Sequence, residues 1–313
     1  MALDPNELKE VLVGPSVTLV TPFKEGTLEL DEEGLAANTN SLIEAGLTTG
    51  NGALIASGSN GECYAMTQEE RKRVIEIVVE EANGRVPVLV GGNHTSTGLA
   101  IDIAVHANKI GADGVMATPP YYLEPTQGDM VRFYDALCEA VDFGIMVYDI
   151  AEVAQTGMSD DTLKRICQNG NVVALKAGQP NFEDFAVKTH KFRDRLACFA
   201  NCYYLAAAAY TFGARGFVSG VGNVAPEIDV ALHKAAVAGD WDTVVAMQAK
   251  RDLFFLALEN MSGDYGSYGG VTLLQTGTAL AGRAGGNPRS PAIPFSDEDR
   301  EILRSALVAM GVA

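Results

Sequence analysis

A chain of 313 residues with a net charge of −17 and a pI near 4.6 repels nucleic acid and anionic membrane surfaces, so neither is expected as a partner. Apolar residues make up 47% of it, enough for a large core. No apolar run approaches the ~18 residues that a membrane span needs.

The opening segment MALDPNELKE has neither a basic nor an apolar region, so it does not read as a signal peptide. The cysteines are Cys63, Cys138, Cys167, Cys198 and Cys202, odd in number, scattered and without a CxxC. That usage fits reduced thiols and a cytoplasmic location. On a strand, Cys198 and Cys202 would lie about 13 Å apart, too far to share a metal. No metal and no cofactor is expected.

Short apolar runs recur along the chain. They read as strands at 16–23, 52–59, 87–92, 114–120, 145–150, 172–177, 197–202 and 216–221. Amphipathic segments with helix signals separate most of them. The clearest is TQEERKRVIEIVVEEANG, where Thr67 and Glu70 form a capping box, Val74, Ile77 and Val78 share a face, and Gly84 ends the helix. STGLAIDIAVHANKIGA and TQGDMVRFYDALCEAV follow the same plan. Eight strands alternating with helices predict a (β/α)8 barrel. A doubly wound sheet is the alternative, but no GxGxxG follows the first strand. After Pro226 the pattern turns helical. Residues 1–226 therefore read as the barrel and 227–313 as the last barrel helix plus a C-terminal helical extension, packed as one unit.

The run Val172 to Leu175 ends on Lys176. Lysine is rarely buried without a partner, yet a barrel strand end opens onto the face where barrel enzymes do their chemistry. Burial lowers the amine's pKa, and a neutral amine attacks a carbonyl to form a Schiff base. The alternative is a snorkelling lysine paired with a barrel carboxylate. Tyr148 occupies the equivalent place on the preceding strand, about 4.8 Å away, within reach to relay protons. In Gly58-Ser59-Asn60-Gly61-Glu62, glycines let the backbone approach a ligand, clustered amides suit an anion, and Ser59 and Asn60 add donors. A plain turn into a helix is the other reading. His94, after the third strand, is a possible pocket residue. His106, His190 and His233 read as exposed or capped. Asp149 should point away from Tyr148 into a structural hydrogen bond. SYGG at 267–270 reads as a helix-start turn.

These residues resemble the dihydrodipicolinate synthase / N-acetylneuraminate lyase family of class I pyruvate aldolases. GSNGE at 58–62 resembles its pyruvate loop, TPPYYLEPTQGDMVRFY its Pro-Tyr-Tyr segment and YDI its Tyr-Asn-x-Pro strand end. VVALK is similar to its Schiff-base strand and GARGFVSGVGNVAPE to its eighth strand. The likeness runs in order from about Gly14 to Val312. It implies an imine between Lys176 and pyruvate or another 2-oxo acid, proton relay by Tyr148 and Ser59, and a carboxylate held at Ser59 and Asn60 between Gly58 and Gly61. It implies that Tyr122 crosses a subunit interface to complete the relay in a homotetramer, a dimer of dimers. Val218 and Ser219 fall on the eighth strand as substrate-binding candidates, and Asn201 on the seventh. The synthases carry an arginine five residues after the catalytic tyrosine that holds the second substrate's carboxylate; here that place is Val153. GSNGE is similar to the 4-hydroxy-2-oxoglutarate aldolase branch. The expectation is a lyase of 4-hydroxy-2-oxo acids, with a lysine-pathway synthase, a deoxy sugar acid dehydratase and a silent 2-oxo acid sensor as alternatives.

Overall fold

In the computed structural model, which describes residues 2–179, 181–201 and 204–312, eight parallel strands close into a barrel. They are β1 Gly14–Thr18, β2 Ala53–Ala56, β3 Val88–Gly91, β4 Gly114–Ala117, β5 Gly144–Ile150, β6 Val172–Gly178, β7 Ala197–Ala200 and β8 Gly216–Ser219. Each pairs with its sequence neighbour, and β8 returns to β1 with Ser16 beside Val218. Each strand overlaps its expected run; β1 starts two residues early at Gly14, β5 one early at Gly144, and β6 ends one late at Gly178. The second stops at Ala56, because Ser57 turns into the left-handed region at φ 54° and leaves the sheet. The sixth runs two residues past Lys176: Ala177 and Gly178 still pair with Asp149 and Ile150. Lys176 therefore sits just inside the mouth rather than at the last position.

Alternation along each strand divides the core into two layers. Val17, Leu54, Val90, Val115, Val147 and Leu175 face outward against helical residues such as Val74, Ile103 and Phe133. Ile55, Leu89, Met116, Met146 and Phe199 face inward and fill the barrel. Both faces are apolar, so the strands read as unbroken hydrophobic runs. The expected helices form at Gln68–Ala82, Thr97–Ile110 and Gln127–Ala140. Capping boxes open the first and third, Thr67 with Glu70 and Thr126 with Asp129. His233, expected exposed or capped, is buried and bonds the Tyr210 hydroxyl at 2.8 Å.

The opening segment holds a helix the sequence patterns did not flag, Pro5–Val11, started by an Asp4–Glu7 capping box. It plugs the barrel floor. Leu8 and Leu12 are fully buried with the inner layer. Room for Leu8 comes from the first residues of β4 and β5: a Cβ on Gly114 or Gly144 would stand 2.9 or 2.5 Å from its methyl. The helices Pro226–Ala238, Trp241–Glu259, Gly269–Leu280 and Asp297–Met310 follow the last strand. A third cluster, including Val20, Val221, Phe254, Leu274 and Leu307, joins them to the barrel mouth. Among the described residues no helix is long and apolar enough to cross a membrane.

Leu8→Ala empties the floor plug in a place where strands cannot collapse inward. A loss of about 2–5 kcal/mol is expected in chemical denaturation, the range for deleting a buried leucine side chain. A loss below 1 kcal/mol would show that the plug contributes little.

Candidate active site

Lys176 and Tyr148 are register partners on adjacent strands, and both side chains face into the barrel. The Lys176 amine lies 3.8 Å from the centre of the Tyr148 ring. Lys176 is 6% exposed and no carboxylate forms an ion pair with it among the described residues. Burial pulls its pKa from 10.5 down to about 7, so much of it is a neutral amine near physiological pH.

The carboxylate of that corner faces the other way. Asp149 is buried outside the strand, accepts from the Met158 amide at 2.9 Å and from Gln179 at 2.8 Å, and pairs with buried Lys188. The structural role expected for it is the one it has. It fastens the end of β5 to the loop beyond and to the helix Phe182–Phe192.

Ser59–Gly61 forms a short turn across the mouth. Gly58 has no room for a side chain: a Cβ there would meet Thr18 at 2.5 Å, and one on Gly61 would meet the Leu19 carbonyl at 2.7 Å. The loop is clamped from below and behind. Buried Arg71 donates to the Ser57 hydroxyl at 3.2 Å and to the Gly91 and Asn93 carbonyls. Glu62, left-handed at φ 58°, accepts from the Gln275 side chain at 2.9 Å and the Arg289 amide at 2.8 Å. Burial pushes the Glu62 carboxyl upward. Sequence reasoning missed Arg71, Gln275 and Arg289, because each acts across a long stretch of chain.

A cavity of about 690 Å³ opens above Lys176. Ser59, Asn60, Tyr148, Lys176, Asn201 and Val218 all line it, so it brings together most of the residues singled out by sequence. Ser219 stands outside that wall. Strand alternation turns it away from Val218, and its hydroxyl accepts from the Gly222 amide at 3.1 Å. Tyr122 also lies apart within one chain and is 80% exposed. His94 does not line the cavity; its Nδ1 accepts from the Ser96 amide. The turn at 267–270 does start a helix, and it also supplies Ser267, Tyr268 and Gly270 to the wall, which its local sequence gave no sign of.

Val153 lines the cavity beside Glu152, and no arginine replaces it among the described residues. Arg132 pairs with Asp129 at the surface, Arg215 donates to the Glu10 carbonyl, and Arg283 bonds Ser41 and the Val224 carbonyl.

The sequence profile of the dihydrodipicolinate synthetase family matches residues 12–310. The chain belongs to that family. A 4-hydroxy-tetrahydrodipicolinate synthase of Rhodopseudomonas palustris (strain BisA53) is 34% identical over 299 residues, 96% of this chain and 97% of the relative. A crystal structure of a dihydrodipicolinate synthase superposes with a TM-score of 0.86 at 28% identity, covering 96% of this chain and all of that one. A prophage protein of the same family from E. coli K12, solved in complex with pyruvate, shares the fold with a TM-score of 0.88 at 22% identity over 96% of this chain and 99% of that one.

In this family member the buried amine should titrate far from an ordinary lysine. Reductive methylation of Lys176 by formaldehyde and cyanoborohydride, read by peptide mass spectrometry, is expected to rise with pH and reach half its maximum near pH 7. A midpoint near 10.5 would mean that the amine is solvated.

Proposed function

We propose that this chain is a Schiff-base aldolase that joins pyruvate reversibly to an aldehyde and cleaves the resulting 4-hydroxy-2-oxo acid. The observation that carries the reading is the Lys176–Tyr148 pair, a buried amine held against a phenol at the barrel mouth. The neutral Lys176 amine attacks C2 of pyruvate and the carbonyl oxygen leaves as water, giving a protonated imine. Loss of a C3 proton gives the enamine. Its C3 bonds the aldehyde carbon, the aldehyde oxygen takes up a proton, and water releases the product. Tyr148 carries protons to and from these oxygens. The Ser59 and Asn60 donors hold the pyruvate carboxylate on the clamped turn, and Ser59 adds its hydroxyl to the relay. Asn201 and Val218 bound the substrate on the far side.

Tyr122, with neighbouring Leu123 77% exposed, would be covered in an assembly. We take it to reach a partner subunit's site in a homotetramer. A cytoplasmic location agrees with the free cysteines Cys63, Cys138, Cys167 and Cys198.

The synthase reaction named for the relatives is the second reading, favoured by the 34% identity to one of them. Val153 at the place of the synthases' arginine weighs against it.

Borohydride with pyruvate is expected to leave one covalent adduct per chain, and Lys176→Ala none. An adduct persisting in that variant sinks the assignment. Tyr148→Phe keeps the ring and removes the proton carrier. Its kcat is expected to fall by roughly 10²–10⁴ while pyruvate is still trapped, the usual range for general acid–base catalysis. Turnover at the wild-type rate would remove Tyr148 from the relay.

A further inference from the structure

The outer part of the cavity belongs to neither Lys176 nor the Ser59–Gly61 turn, and its chemistry differs from theirs. At about 690 Å³ the cavity lies within the range of sites for much larger ligands than a three-carbon acid. Tyr64, Val153, Tyr204 and Tyr268 all line it and are 44%, 41%, 42% and 37% exposed. A cluster of exposed apolar side chains around one opening marks a contact surface. Phe182 adds a further ring to the wall.

Each ring is braced by another. Tyr64 and Tyr268 meet at 5.9 Å between centroids, Phe182 meets Phe212 at 4.8 Å, and Tyr204 meets Phe255 at 5.9 Å. Tyr204 is also tethered through its hydroxyl to Glu259 at 3.0 Å. The rings are therefore positioned before any ligand arrives, which lowers the ordering cost of binding.

The same wall offers little to a negative charge. Lys176 is its only cation among the described residues, and in the aldolase reading that nitrogen is taken up by the imine. Glu152 is its only carboxylate. Two of its amides are already engaged: Gln179 donates to Asp149, and Asn181 bonds Asp184 through both its oxygen and its nitrogen. Pro180, Cys202 and Tyr203 lie outside the described residues, and none of the three is cationic by sequence. A second carboxylate held here would lose its hydration without a charged partner.

We infer, resting on the aldolase reading above, that the acceptor of this enzyme is an uncharged aldehyde with a ring-sized apolar body, seated among Tyr64, Phe182, Tyr204 and Tyr268. In the cleavage direction the C3–C4 bond breaks, its electrons enter the iminium, the 4-hydroxyl proton departs, and the neutral aldehyde leaves across these rings.

Benzaldehyde, glyceraldehyde and aspartate semialdehyde serve as probes, with pyruvate consumption by the wild-type enzyme as the readout. The expected kcat/KM for benzaldehyde exceeds both others by at least tenfold. A smaller lead, or consumption of none of the three by enzyme that traps pyruvate with borohydride, overturns the inference. Failure to trap pyruvate at all would sink the imine reading instead. Val153→Arg is expected to shift the ratio at least tenfold toward aspartate semialdehyde. An unchanged ratio in a variant that still traps pyruvate overturns the assignment of this wall to the acceptor.

Discussion

The exclusion of water from the Lys176 amine is the constraint on which the site depends. A pKa near 7 in place of 10.5 corresponds to about 5 kcal/mol between the charged and neutral forms. The barrel imposes this by placing the residue on an inward-facing position with Ala174 below it and Phe199 beside it. An ion-pairing carboxylate would oppose the effect by favouring the ammonium. The nearest acid along the adjacent strand, Asp149, is turned outward and held by Lys188, Gln179 and the Met158 amide. Strand alternation thus keeps a negative charge away from an amine only one register step from it.

The Ser59–Gly61 turn, which lines the same cavity as the buried amine, is held rigid. That rigidity comes from residues far away in sequence. Glu62 is held by Gln275 and by the Arg289 amide, while the Arg289 side chain reaches Glu70 and the Leu28 carbonyl. The helices after the barrel therefore do more than cover apolar surface. The helix Gly269–Leu280 and the segment after it lock the second strand's loop from outside, and the turn that starts that helix completes the cavity wall. Buried charged groups with several partners hold one geometry well, because losing any partner leaves a costly unpaired atom.

The protein is strongly acidic as a whole, and the cavity is nearly neutral. A negative exterior does not assist an anionic substrate, so on the proposed reading recognition of pyruvate would fall to local donors in the Ser59–Gly61 turn. Beyond that turn the wall is rich in rings, and its Gln179 and Asn181 amides are already engaged. The cavity thus separates a polar end, suited to a 2-oxo acid, from an apolar end.

The sequence by itself determined the barrel. Apolar runs at regular spacing with capped amphipathic segments between them admit few other packings, and each of the eight strands overlaps one of those runs. It also marked Lys176, Tyr148 and the GSNGE turn, because a charged residue closing an apolar run and glycines before a helix are local signals. The tertiary structure alone decided the rest. The plug helix Pro5–Val11 has only seven residues, too short to show a clear periodic face. β6 runs two residues past Lys176 because pairing with β5 continues there, which single-strand composition does not encode. Arg71, Gln275 and Arg289 act through bonds to chain remote from them, and Tyr268 reaches the cavity only because the extension folds back over the mouth. Local patterns record which face of an element is buried; which distant side chain meets it is set by closure of the barrel and the return of the chain across its open end.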